Sequence, residues 1–386
     1  MEPPKPAPRP RIVRPERFVW AFPEEPPPES QATPIRNAPA IDSSGRIYLH
    51  SQERLFCLTE EDGKVKMLWE YVTGSRAPGP VVVSPDDTVR LHCSDGYLHS
   101  IEAASGRQTW PPACVGDPLG YAIPVVDMVG NTWISAADGG LIKVDSMGAV
   151  QKPRYFRSRE KFDSPGVIAH GVLYIGSESG YVFAIDLREQ RGSSLWNHAA
   201  DQGYVGSVRA APAMTAEGIL ILAGQDEHLY GFSPTGSLHW RTQVPGQVLG
   251  SPVFDRYGHI YVGVSQAPRG LEPRGLLVCL DGNSHKLRWE YRAAGPVEST
   301  PVIGDDDLIY FGDNTGELHA VTFHGRAQWT VNVGSPVRSA GTILAPERLA
   351  FGLDNETLLV LNCTSKGLAA EGWPKIGRTR GQCGLA

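Results

Sequence analysis

The sequence predicts an all-β fold, an eight-bladed β-propeller of four-stranded antiparallel blades, and three observations predict it. A short apolar run ending in a polar residue recurs eight times, its starts separated by 43, 43, 41, 47, 48, 41 and 40 residues. Its members pass from Leu55-Phe-Cys-Leu-Thr59 through Val182-Phe-Ala-Ile-Asp186 to Leu358-Leu-Val-Leu-Asn362. Ahead of each run stands a proline, at Pro39, Pro80, Pro124, Pro165, Pro212, Pro252 and Pro301, with Gly341 in the eighth unit. Behind it stands a tryptophan, at Trp69, Trp110, Trp196, Trp240, Trp289, Trp329 and Trp373, and the third unit alone lacks one. Val, Ile, Leu, Tyr and Phe runs bounded by Gly, Asp, Asn or Ser, repeating every 40 residues or so, are strand and hairpin chemistry. One such sheet cannot cover both of its faces, whereas a ring of them buries face against face.

The elements follow in chain order. Residues 1–38 hold eleven prolines and read as an extended arm, a tether or a ligand for a partner groove. Within it Phe18-Val-Trp-Ala-Phe22 is similar to the fourth-strand stretch Trp289-Glu-Tyr291, so a strand near residues 17–22 is a candidate to close the ring through Trp20. Trp373, in Gly372-Trp-Pro-Lys375, competes for that role. Residues 39–375 form the propeller, with the nearly continuous apolar third strand of each unit sandwiched between neighbouring blades. One tryptophan per unit is the spacing that docking between blades requires, and in the third unit Tyr155 or Phe156 takes that place. Residues 376–386 are a short basic tail.

Composition narrows the function classes. Glycine (43) and proline (32) make up about a fifth of 386 residues, too many chain breakers for a long-helix protein. A net charge of −6 with both signs interspersed argues against a general nucleic-acid surface. No run approaches the roughly 20 apolar residues of a membrane-spanning helix. The stretch Met1 to Arg14 is basic and proline-rich without an apolar centre, which reads as cytoplasmic; a periplasmic location requires a signal removed before residue 1. The six cysteines (57, 93, 114, 279, 363 and 383) show no CxxC or CxxCH and read mostly as buried thiols.

The fullest units, Gly171-Val-Leu-Tyr-Ile-Gly-Ser-Glu-Ser-Gly-Tyr-Val-Phe-Ala-Ile-Asp186 running to Trp196 and Leu308-Ile-Tyr-Phe-Gly-Asp-Asn-Thr-Gly-Glu-Leu-His-Ala-Val321 running to Trp329, resemble the pyrroloquinoline-quinone-type propeller repeat over roughly residues 38 to 375. That resemblance implies an indole docked between blades. It covers quinoprotein dehydrogenases, an outer-membrane assembly lipoprotein and modules attached to signalling systems. The dehydrogenases imply a calcium ion, a catalytic aspartate and often an adjacent cysteine pair, and this chain offers no segment that matches them. In size and blade number it is closer to the assembly lipoprotein, whose lipidated N-terminal cysteine has no counterpart before Cys57.

No catalytic constellation, metal site or cofactor site is expected. His99 and His319 fall on a strand position that Tyr230 fills in another unit, and Asp86-Asp87 and Asp305-Asp306-Asp307 fall in turns, where aspartate satisfies backbone. The third unit departs furthest from the repeat. Lys143 stands where other units carry Cys, Ser, Ala, Gly or Val, so it is paired or points into the central channel. The loop that follows, with Lys152, Arg154, Tyr155, Phe156, Arg157 and Arg159, is basic and aromatic. It reads either as a surface for an acidic partner or a nucleic-acid backbone, or as a solvated variable loop. The insertion from Ser265 to Arg274, with Arg269 and Arg274, projects from one face of the disc. The expected function is a non-catalytic scaffold or adaptor binding protein partners in a larger bacterial-type complex. The alternatives are a quinone-dependent dehydrogenase or small-molecule sensor using the central funnel, and an envelope-assembly propeller.

Overall fold

A computed structural model describes residues 16–28, 30–116, 124–136, 138–162, 164–198, 206–267, 272–344, 346–372 and 375. Among them there is no helix, and the strands form eight antiparallel sheets in a ring. Blade 1 consists of Ala40–Ile41, Ile47–Ser51, Arg54–Glu61 and Lys64–Val72, and blade 2 of Val82–Val83, Thr88–His92, Tyr97–Glu102 and Ala113–Cys114. Blade 3 follows with Val125–Val126, Thr132–Ser135, Gly140–Val144 and Phe156–Arg157, and blade 4 with Val167–Ala169, Val172–Gly176, Val182–Asp186 and Ser193–His198. Blade 5 is Ala213–Met214, Leu220–Gly224, His228–Phe232 and Leu238–Gln243. Blade 6 is Val253–Phe254, Ile260–Gln266, Arg274–Leu280 and Leu287–Ala293, with Gln247–Val248 also paired to its second strand. Blade 7 is Val302–Ile303, Leu308–Gly312, Glu317–Thr322 and Ala327–Asn332. Blade 8 takes Thr342–Leu344, Arg348–Gly352 and Leu358–Asn362 from the C-terminal end, and its outermost strand, Phe18–Phe22, from the N-terminal end.

Burial follows position in the blade. Val182–Asp186 is buried at every residue, because both of its faces meet neighbouring blades, whereas the outer strand Lys64–Val72 alternates between exposed and half-buried. Between the blades sits a set of aromatic contacts with one geometry. Trp69 Nε1 donates to Ala103 O at 3.1 Å, Trp196 Nε1 to Pro234 O at 2.8 Å and Trp289 Nε1 to Phe323 O at 3.0 Å, each acceptor lying in the outer turn of the next blade. Each of these indoles crosses a small residue on its own third strand, Cys57, Ala184 or Cys279, and a β-bulge follows the pair. At Gly231, opposite Trp240, a Cβ would stand 2.1 Å from the indole nitrogen, so the position accepts no side chain. The units that carry Cys, Ala or Gly there are making room for the ring.

Two further positions belong with these, whereas Trp110 Nε1 and Trp329 Nε1 have no hydrogen-bond partner among the described residues. In blade 3, Tyr155 is buried and stands 4.7 Å from Trp133, ring centre to ring centre; its hydroxyl donates toward Asp186 O (3.0 Å) and Glu189 O (2.8 Å) of blade 4. In blade 8, Trp20 pairs with Val360 and donates to Glu60 Oε2 of blade 1 at 2.8 Å. Glu60 also accepts from Arg348 Nε at 2.9 Å, and Glu356 of blade 8 accepts from Ser51 Oγ (2.5 Å) and Gln52 Nε2 (3.1 Å) of blade 1. The junction between first and last blades is therefore held by strand pairing and by two carboxylates. Trp373 lies outside the described residues, as do residues 1–15 of the arm and the whole of the tail 376–386.

Candidate functional site

Alternating connections give the disc two unlike faces. On one, the turns between second and third strands emerge together with the connections from one blade to the next. The residues just ahead of the first strands line the central channel there. A cavity of about 180 Å³ is lined by Arg36, Arg209, Glu298, Thr300 and Arg338, contributed by blades 1, 5, 7 and 8. Beside it a larger hollow of about 610 Å³ is lined by Arg36, His50, Arg76, Ser94 and Arg209. Arg338 is held between Glu298 (3.4 Å) and Asp354, and Arg209 lies 3.9 Å from Glu178. Arg36 and Arg76 are exposed and make no ion pair among the described residues. Burial, with a smaller contribution from His99, pushes the His50 imidazole down to about 4, so its ring is neutral near pH 7. The channel mouth therefore favours anionic groups.

On the opposite face the chain beyond blade 8 crosses blades 7 and 6. Asp305 N donates to Gly367 O and Ala369 N to Ile303 O, and Gly372 lies against the backbone of Phe254 and Asp255. Lys375 is buried beside the innermost strand of blade 8, where its Nζ donates to Thr342 Oγ1 at 2.5 Å. A hollow of about 650 Å³ between blades 5 and 6 on this face is lined in part by Ala370, Glu371 and Gly372 themselves.

The residues singled out in the third unit divide sharply. Lys152, Arg157 and Arg159 are exposed. Arg154 is instead committed to Asp138 (3.0 Å) and lies across Gly140, and Phe156 stacks with Phe162 at 6.5 Å between ring centres. Tyr155 is 2% exposed and cannot meet a partner. Lys143 makes no ion pair among the described residues and lies over a ring of its own blade, not in the channel. Its Nζ lies 5.2 Å from the centre of the Trp133 ring, over a strand that no tryptophan crosses, and that missing indole is what leaves room for it. In blade 6, Arg274 is exposed at the turn end of the hairpin Ile260–Gln266 and Arg274–Leu280, while Arg269 lies outside the described residues. Arg157 pairs with Gly140 at the same end of blade 3, so Arg157 and Arg274 share the face of the channel mouth.

Sequence reading missed Arg36, Arg209, Glu298 and Arg338. Their signal is a fixed offset, since each stands three residues before the proline of its unit, or before Gly341 in the eighth. The acidic turns behave as expected of turns. Asp86 accepts from Thr88 N and Arg90 Nη2, and Asp306 from Leu308 N and the Tyr310 hydroxyl.

Among solved structures the chain is similar to BamB from Moraxella catarrhalis (TM-score 0.64, 15% identity, 91% of this chain and 100% of that one). It is also similar to quinohemoprotein alcohol dehydrogenase from Comamonas testosteroni (TM-score 0.71, 12% identity, 94% and 78%). At such identities both show the fold alone. Two curated relatives are outer membrane protein assembly factors BamB. The one from Moranella endobia is 24% identical over 74% of each chain. The one from Nitrosomonas eutropha is 26% identical over 53% of this chain and 47% of its own. These relatives overturn the cytoplasmic expectation, which rested on the polarity of the first residues, a property that carries no address for a protein of this kind. A sequence model of one family matches residues 30–193, 187–267 and 258–370, and the chain accordingly belongs to the family of the outer membrane protein assembly factor BamB.

Proposed function

We propose that this protein is a non-catalytic scaffold of outer membrane protein assembly, acting in the bacterial envelope and binding protein partners through the face on which the channel mouth opens. The observation that carries the reading is the family match along blades 1 to 8, residues 30–370. The geometry supports it in a second way. The ring is closed by aromatic docking and strand pairing, so loops on its faces can vary without disturbing the core. On the chosen face, Arg157, Arg159 and Arg274 stand exposed around a mouth that carries Arg36 and Arg76, a surface suited to an acidic segment of a partner.

The test is capture of the full chain, after cross-linking, from envelope fractions of its host, with partners identified by mass spectrometry. Components that assemble outer membrane proteins are expected in stoichiometric amount. Replacing Arg157, Arg159 and Arg274 together by glutamate is expected to reduce that capture at least fivefold while leaving the unfolding midpoint within a few degrees. Recovery of the chain alone, or undiminished capture by the triple variant, overturns respectively the assembly reading or the choice of face.

A further inference from the structure

Blades 2 and 7 repeat one arrangement of tyrosine, histidine and turn but differ in the residue opposite the histidine Nε2. In blade 7 the hairpin Asp313 to His319 places His319 Nδ1 3.2 Å from the Tyr291 hydroxyl and His319 Nε2 3.3 Å from Asp313 Oδ2. Both ring nitrogens are thus engaged. In blade 2 the corresponding hairpin runs from Cys93 to His99, closed by the same backbone bonds, Cys93 N to Tyr97 O (2.9 Å) and Gly96 N to Cys93 O (3.0 Å). His99 Nδ1 again lies 3.0 Å from a tyrosine hydroxyl, that of Tyr71. The acceptor opposite Nε2 is missing, because Cys93 stands where blade 7 has Asp313. His99 is 5% exposed, and its Nε2 has no hydrogen-bond partner among the described residues. A buried polar atom left in that state costs about 1–3 kcal/mol, which asks for a reason.

A ring nitrogen of His99, the Cys93 sulfur and a carboxylate oxygen of Asp95 all lie within 4.8 Å of one another. We propose that Cys93, Asp95 and His99 form a binding site for one divalent cation of borderline softness, of which Zn²⁺ is the type, with a further coordination position facing the hollow lined by His50 and Ser94. The donor set selects this class. One sulfur, one imidazole and one carboxylate suit a four-coordinate ion with one open position, whereas Ca²⁺ takes six to eight oxygens. Donors around a tetrahedral ion stand roughly 3.5 Å apart, so three donors within 4.8 Å of one another need draw together by at most about 1.3 Å; Asp95 is exposed, with its Oδ1 accepting from Tyr97 N at 3.1 Å. Tyr71 supplies the outer support. With the imidazole hydrogen on Nδ1, the Tyr71 oxygen accepts it, and Nε2 turns its lone pair on the cation. Binding forms a sulfur–metal bond in place of the Cys93 S–H bond and releases that proton to solvent.

The probe is Co²⁺ added to the full chain under reducing conditions. The expected result is one equivalent bound per chain, a thiolate-to-cobalt charge-transfer band in the near ultraviolet, and displacement by Zn²⁺. Cys93→Ser is expected to abolish the band. Asp95→Asn, at an exposed position that leaves the fold intact, is expected to weaken binding roughly tenfold or more. Cys114→Ser, which removes the exposed thiol on the neighbouring outer strand opposite Tyr97, a residue outside the proposed donor set, is expected to leave the band unchanged. Absence of the band in the unaltered protein, its survival in Cys93→Ser, or its loss in Cys114→Ser overturns the site.

Discussion

At the scale of single residues, the fold rests on a pairing between a large ring and the small residue it crosses. Trp196 is partly buried against blade 5, stands opposite Ala184 and donates to Pro234 O, so Trp196→Ala loses apolar contact and strands a carbonyl. The expected cost is about 3 kcal/mol, read as a lower midpoint in chemical unfolding with no selective loss of any partner. Gly231→Ala attacks the same contact from the other side. The new methyl meets the Trp240 ring, and a loss of about 2–3 kcal/mol is expected. Asp313 offers a different handle. Burial alone would raise its carboxyl, but hydrogen bonds from His319, Thr315 and the backbone of Glu317 and Gly295 outweigh it and hold the group down at about 2. A carboxylate depressed in the folded state stabilises above its unfolded value near 3.8, and that stabilisation is lost as pH falls through 2. Unfolding measured from pH 5 down to pH 2 is therefore expected to show a decline of about 2 kcal/mol that Asp313→Asn lacks. The tryptophans were legible because they recur once per unit. The small residue beneath each ring was visible as a position but not as a reason, since only the register of the outer strand shows what crosses it.

At the scale of elements, strands were legible wherever burial on both faces forces an unbroken apolar run, as in Val182–Asp186, and turns wherever glycine or aspartate punctuates. The closing strand was harder. Phe18–Phe22 is an isolated copy of one strand from a repeat, 336 residues from its partner when Phe22 is counted against Leu358, and Trp373 offered an equal local signal. What decides is pairing: Phe18, Trp20, Ala21 and Phe22 register with Leu361, Val360, Leu359 and Leu358. Removing residues 1–22 therefore leaves Leu358–Asn362 as an open edge with its apolar side chains uncovered. The truncated chain is expected to unfold at a lower midpoint and to self-associate, and a separate peptide of residues 16–23 is expected to bind it and restore the midpoint. A truncated chain as stable as the full one would mean that the strand is not part of the closure. The basic segment of blade 3 was read as one surface and is really two layers. Tyr155 is buried between blades 3 and 4 and Phe156 is half-buried against Phe162 and Phe183, whereas Lys152, Arg157 and Arg159 are exposed, a division set by docking contacts that composition does not show.

At the scale of the whole molecule, what sequence could not supply is convergence. Arg36, Arg209, Glu298 and Arg338 are separated by about 40 to 170 residues, yet each blade delivers its residue at the same offset to the same axis, and the ring turns a periodic sequence into a single mouth. The opposite face is built differently, because residues 363–372 pack across the turns of blades 7 and 6 and Lys375 is buried against Thr342. A partner drawn by positive charge therefore meets two unequal surfaces, and the scaffold reading commits it to the mouth. Paired variants separate the two. Arg36→Glu with Arg209→Glu changes the mouth by four units of charge at exposed positions, whereas Arg256→Glu alters the far face, where Arg256 pairs with Asp307 at 2.9 Å. Since steering by surface charge acts mostly on association, the mouth variant is expected to slow partner binding roughly tenfold at low salt, with the difference shrinking as ionic strength rises; the far-face variant is expected to bind at the unaltered rate. A far-face effect about half as large in log rate as that of the mouth variant, in proportion to two units of charge against four, would show that net charge, and not the face built around the channel, governs recognition.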